Sequence, residues 1–309
     1  MTVMDEHTLP ERDVWSEWLL HGRDGGDPDY AHALRALVER YVERVLAGAA
    51  LQPGETVADV GAGEGLLALR ALELTGGDLH VWLTDLSEPM LRHARQLIEA
   101  RRFTPRCRFL CAPAERLVGI AAGSLDAVTT RSVLAYVTDK TAALREFHRV
   151  LRPGGRISLG EPVFQDEAVA AQAMRTVIES SAPEAVSPLL RLMHRWKASQ
   201  FPDTDAAIRA SAIVNYSERD LVRFAQDAGF VDVHLELHID TLPSIVRSWE
   251  VFINTSPHPL APPLRAIMAE QFNPSERDLF ERSMRPVIED PRAVNIERMA
   301  YLTARTPRA

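Results

Sequence analysis

From Val57 onward the hydrophobic positions fall into two alternating patterns, short apolar runs and longer stretches with helical spacing. The runs at 57–60, 79–84, 106–111, 125–130 and 155–160 have the length and content of buried strands. Between them, Leu66 to Leu74, the stripe of Met90, Leu91, Ala94, Leu97 and Ile98, and the set Leu144, Phe147 and Leu151 repeat every three to four residues. Ser87 and Pro89 give the second stretch a start signal, and Pro153, Gly154 and Gly155 close the third. Such alternation predicts an α/β fold around a parallel sheet. Two helices precede it: Trp15, Trp18 and Leu19 mark one, and Leu34, Leu37, Val38, Tyr41, Val42 and Val45 mark a longer one ending near Gly48.

Beyond Glu161 the alternation lapses. Residues 163–215 read as helical with breaks at Pro183, Pro188 and Pro202. Ser217 and Asp220 form a capping-box start for a helix that Gly229 closes, and Val231, Val233, Leu235, Leu237 and Ile239 then alternate as a strand over 231–239. Residues 243–293 contain a proline-rich stretch and a helix opened by Asn273 and Pro274, and 298–305 is the last strand. The chain therefore divides into N-terminal helices at 1–49, a core at 50–162, a helical insertion at 163–215, a core helix and strand at 216–242, a second insertion at 243–293 and a final strand within 294–309.

Composition narrows the partners. With 309 residues and 46% hydrophobic content the chain can bury a substantial core. Its formal charge is -8 and its Lys and Arg are scattered, so the basic footprint of a nucleic-acid binder is missing. No apolar run approaches the roughly 20 residues needed to span a bilayer, and the acidic, polar start is unlike a signal peptide, so a cytoplasmic location is expected. Cys107 and Cys111, four positions apart on one strand, stand about 13 Å apart, too far for a disulfide, and are expected as small buried hydrophobes. The same spacing separates His234 from His238 in HLELH, so no metal site is expected there.

Chemistry concentrates at one edge. In VADVGAGEG, residues 57–65, a strand runs through a glycine-rich turn into a helix, the layout that brings a helix N-terminus to a nucleotide. A dinucleotide fingerprint needs glycine at position 66, where Leu66 stands, and this weighs against a nicotinamide oxidoreductase. Arg131 ends an apolar strand at the carboxyl edge, where open α/β sheets bind ligands, with Ser132 and Tyr136 just after it and Glu161 at the same edge. For Glu161 a functional role and a structural one, pairing with Arg131 or capping the next segment, stand even.

Taken in order, DVGAGEG at 59–65, TDLSEPML at 84–91, CAPAERL at 111–117, LDAVTTRSVLAYV at 125–137 and EFHRVLRPGGRISLGEP at 146–162 resemble the class I S-adenosylmethionine-dependent methyltransferases. The resemblance covers about half the chain. It implies a Rossmann-like, doubly wound, seven-stranded sheet with one antiparallel strand, here with a helical cap built from the N-terminus and two insertions. It also implies S-adenosylmethionine as cofactor. Gly61, Ala62 and Gly63 would let backbone approach the methionine part; Asp59 would meet its amino group or a water; Asp85 would accept the ribose hydroxyls. Leu86 and Met90 would flank the adenine. Many members carry an acid after the third strand, where this chain has Pro113, leaving the Ala114 backbone and Glu115 to bind the ring edge.

On this reading the chain methylates a small molecule or a peptide end in specialised metabolism, and an O-methyl ester is preferred because Arg131 can clamp a carboxylate, which needs no base. Arg131 would serve cofactor or acceptor, with Tyr136, Glu161, Trp15 and Trp18 around the acceptor. If a base is needed, Glu161, Tyr136 and His194 are the candidates. The alternatives are C- or N-methylation and a non-catalytic cofactor-binding scaffold or regulatory subunit.

Overall fold

The computed structural model describes residues 11–308. Seven strands, β1 (Thr56–Val60), β2 (His80–Asp85), β3 (Cys107–Cys111), β4 (Leu125–Arg131), β5 (Leu151–Pro162), β6 (Val231–Pro243) and β7 (Val294–Arg305), form one sheet in the order β3-β2-β1-β4-β5-β7-β6. All neighbours are parallel except β7, which is antiparallel to both β5 and β6. The order reverses between β1 and β4. At that switch point the loops after the two strands part and leave a crevice at the carboxyl edge.

The helices are α1 (Val14–Glu17), α2 (Pro28–Ala49), α3 (Leu66–Leu74), α4 (Glu88–Ala100), α5 (Lys140–Val150), α6 (Gln165–Ser180), α7 (Pro188–Gln200), α8 (Asp205–Ala210), α9 (Glu218–Asp227), α10 (Trp249–Asn254), α11 (Leu264–Gln271) and α12 (Pro274–Ile288). Leu72, Leu83, Leu91 and Ile98 pack with Val42 and Val45 of α2 on one sheet face. On the other, Leu144 and Phe147 of α5 and Leu221 and Ala225 of α9 cover Val128, Ile157 and Leu302. Burial on both faces is what made the central strands continuous apolar runs.

The first helix is shorter than its tryptophans imply. Asp13 and Ser16 form a reciprocal cap, and after one turn the chain passes into a π-helical segment, Trp18–Gly22. The stretch 112–124 between β3 and β4 contains no helix, so backbone forms that wall of the crevice. The cysteines depart from expectation: β3 is an edge strand, so Cys107 is only half-buried and Cys111 is exposed. In the insertions, Leu192 of α7 joins Trp249, Ile253, Leu264, Ile267 and Phe280 of α10 to α12 in a separate hydrophobic cluster. No helix among the described residues is long and apolar enough to cross a membrane.

Candidate active site

β1 ends in Asp59 and Val60, and the turn after it runs through three glycines at positive φ, Gly61, Gly63 and Gly65. Gly61 is required by the protein itself: a Cβ there would lie 2.3 Å from Val133 Cγ2. This differs from the expectation that a ligand demands it. At Gly63 the nearest atom to a built Cβ is Leu19 Cδ1 at 3.8 Å, so packing leaves that side open and only the φ of +53° favours glycine. The Gly63 N–H donates to Asp85 Oδ2 at 2.8 Å, and the Ser87 N–H donates to Oδ1 at 2.9 Å. Burial raises the Asp85 carboxyl, and these backbone donors pull it back. Each oxygen keeps a further lone pair for a donor from the crevice.

The crevice is a cavity of about 330 Å³ lined by Gly61, Asp85, Leu86, Pro113, Ala114, Glu115, Ser132, Tyr136 and their neighbours. Leu86 is 61% exposed into this region and offers a flat apolar surface. Met90 lies elsewhere: it is fully buried on α4 and lines no cavity described here. Asp59 is likewise buried beneath the turn, accepting the Ala68 N–H at 3.2 Å, and burial pushes its carboxyl up to about 7. Ala62 holds the turn to β2 by donating its N–H to the Thr84 carbonyl, and it does not face the crevice.

A second cavity, about 610 Å³, opens beside the first and shares Trp15, Ser132 and Tyr136 with it. Its walls are Trp18, Leu19, Leu34 and Val38 from the N-terminal helices, Phe164 after β5, Pro257 and Pro259 before α11, and Ile296 to Met299 of β7. Trp18 Nε1 donates to Ser256 Oγ at 2.9 Å, tying the N-terminal segment to the second insertion. Its acids are all engaged: Asp166 pairs with Arg298, Glu167 with Lys197 at 2.5 Å, and Glu297 accepts from Tyr41. Arg23 pairs with Glu64 of the glycine turn at 2.9 Å. Arg131 is different. Among the described residues it makes no hydrogen bond or close ion pair, and burial together with the nearby Arg23 holds its guanidinium below the usual range.

The three candidate bases separate. Glu161 is 1% exposed and lines neither cavity; its carboxylate accepts from Thr130 Oγ1 at 2.9 Å and from the Val133 and Ala135 N–H groups at 3.0 and 3.3 Å. It braces the loop after β4, where Ser132 sits at φ +57°, and has no open path to an acceptor. His194 is in α7, bonded to Asp203 at 2.8 Å beside a different cavity lined by Arg191, Arg195 and Glu276. Tyr136 does line both cavities, yet burial and Glu161 raise its phenol well above the ordinary value.

Comparisons with known proteins bear on the core that carries this crevice. Residues 58–159 match the family described as a methyltransferase domain. This core is matched as a methyltransferase domain and is similar to the class I S-adenosylmethionine-dependent methyltransferases. Its curated relatives include ubiquinone/menaquinone biosynthesis C-methyltransferases: that of Ralstonia nicotianae is 39% identical over 38% of this chain and 46% of its own length. That of Klebsiella pneumoniae is 29% identical over 59% of this chain and 69% of its own. The chain thus spans about half the length of the relative from Ralstonia nicotianae. Among solved structures, the YcgJ protein of Bacillus subtilis (TM-score 0.56, 14% identity, 88% of this chain and 100% of that one) and BH2331 of Bacillus halodurans C-125 (TM-score 0.54, 19% identity, 86% and 98%) share the fold.

S-adenosylmethionine is the cofactor that the family resemblance implies, and the crevice fits that molecule. It offers an acid with free lone pairs, an exposed leucine and an open glycine turn in sequence. Asp85 would take a diol, Leu86 and the Pro113–Glu115 backbone a flat ring, and the Gly61–Gly63 turn a narrow chain.

Proposed function

We propose that the chain transfers the methyl group of S-adenosylmethionine to a small molecule with an apolar body and a carboxylate, giving an O-methyl ester. The observation that carries this reading is Arg131, a cation without a bonded partner among the described residues, in the wall of a cavity of mixed apolar and paired charged side chains beside the cofactor crevice. An arginine fork suits a carboxylate. When bound, the cofactor supplies a methyl group already activated by its sulfonium. The protein's own work is then to orient and to exclude water. Arg131 holds the acceptor, while Trp15 and Tyr136 close the junction of the two cavities. Fixing the reactants in this way can contribute roughly 7 to 11 kcal/mol. Among the described residues none lining this cavity is a free base, and a carboxylate needs none.

A second reading is favoured by the relatives' printed activity: methylation at carbon, with Arg131 holding an oxyanion on the acceptor. Assays with methyl-labelled cofactor separate the two. Label released as methanol by mild alkali marks an ester, and label that survives marks a carbon product. Arg131→Ala is expected to abolish transfer with cofactor affinity unchanged; loss of cofactor binding would reassign Arg131 to the cofactor.

A further inference from the structure

The sheet has two free edges, and they are unlike. β3 is five residues long. β6 is thirteen residues long, with no lysine and no proline before Pro243, so beyond its start the strand lacks these two blocks to edge pairing. A bulge between Val231 and His234, with Asp232 at φ +51°, confines regular geometry to the part from His234 onward. Leu235, Leu237 and Ile239 share one face of that part, and Leu237 and Ile239 are 38% and 56% exposed. Ile296 and Val294 of β7, opposite Thr241 and Pro243, continue the exposed apolar strip. The other face carries His234, Glu236, His238 and Asp240.

We propose that β6 pairs antiparallel with β6 of a second copy about a two-fold axis at Leu237. In that register Leu237 faces itself and Leu235 faces Ile239. Glu236 faces His238 and His234 faces Asp240, so every pair on the charged face joins an acid to a histidine. An axis at Leu237 pairs all four of these residues, whereas an axis at Leu235 joins only His234 to Glu236 and one at Ile239 only His238 to Asp240. An axis at Glu236 sets that acid against itself and His234 against His238; an axis at His238 sets Glu236 against Asp240. Like charges directly opposite are destabilising. From α2, Arg44 reaches Glu236 at 2.6 Å and Arg40 reaches Asp240 at 3.9 Å, so the second copy extends an existing ladder of alternating charge. A two-fold axis makes each contact twice and closes the assembly at two chains. The edge lies one strand from the acceptor cavity, because His238 to Thr241 pair with Met299 to Ile296.

The test is sedimentation equilibrium of the full chain, where a species of twice 34.4 kDa is expected. Leu237→Lys should yield monomer with unchanged S-adenosylhomocysteine affinity. Asp240→Lys should weaken the dimer about ten-fold, and adding His234→Glu should restore it. Two further variants read the register. Opposed Cα atoms lie about 4.5 to 5.5 Å apart, within disulfide range, so Leu237→Cys should cross-link on mild oxidation. Ile239→Cys should not, since its two copies stand about 14 Å apart. A wild-type chain that stays monomeric at roughly 100 μM overturns the proposal, as does a dimer indifferent to Leu237→Lys or one cross-linked equally well through position 239.

Discussion

Trp15 meets Tyr136 edge to face, with ring centroids 4.9 Å apart and planes at 75°, and both rings border the cofactor crevice and the acceptor cavity. The N-terminal segment therefore closes over the junction of the two cavities, held there by Trp18 on Ser256 and by Arg23 on Glu64. An aromatic pair of this kind contributes about 0.5 to 1.5 kcal/mol beyond its burial. Trp15→Ala is expected to lower kcat/KM about ten-fold, and Trp15→Phe to recover most of it, in steady-state transfer assays. Equal activity of the alanine variant would detach this ring from the junction.

Asp85 has two jobs that one substitution separates. Its carboxylate orders the glycine turn through the Gly63 N–H and starts α4 through the Ser87 N–H. Asp85→Asn keeps one acceptor oxygen and loses the charge. Calorimetric titration should show cofactor affinity falling about a hundred-fold, in line with one or two charge-assisted bonds of roughly 1.5 to 3 kcal/mol each, while the melting temperature falls only slightly. Unaltered affinity would remove Asp85 from the cofactor site.

Glu161 is expected to behave as a brace. Glu161→Ala strands the Thr130 hydroxyl and two N–H groups in the interior, each costing about 1 to 3 kcal/mol, so urea unfolding should show a loss of about 3 kcal/mol or more. A catalytic base would give another result: full stability in Glu161→Gln with turnover gone.

Asp59 makes stability depend on pH. Its carboxyl titrates at about 7 in the fold and near 4 in the unfolded chain, so between those values the folded state holds the extra proton. Stability is accordingly greatest at the acid end of this window and falls as pH rises through 7. Asp59→Asn removes the cost of burying the charge, on the order of 4 kcal/mol above pH 7. Melting temperatures of both proteins from pH 5 to 9 check this; parallel curves would assign the pH dependence to another group.

The sheet was legible because strands buried on both faces must be apolar throughout, and Asp85 because an acid closing such a strand stands out from it. Other features depend on contacts that spacing does not encode. Gly61 answers to Val133, seventy-two positions away, and Arg23 to Glu64, forty-one away. Glu161 at a strand end reads equally as a base or a brace, and only the folded Val133 and Ala135 amides decide. Met90 follows the helical stripe faithfully, and that same stripe carries it into the core, away from the crevice where the family resemblance had set it.

The hydrophobic cluster that joins α7 to α10, α11 and α12 restricts how this chain can be altered. Leu192 comes from one insertion, and Trp249, Leu264 and Phe280 come from the other, with α9 and β6 between them in sequence. A chimera that imports either insertion alone would bring half a core and leave half exposed. The two insertions are therefore inherited, or exchanged between scaffolds, as a matched pair of segments, and the lineage of one has to follow that of the other.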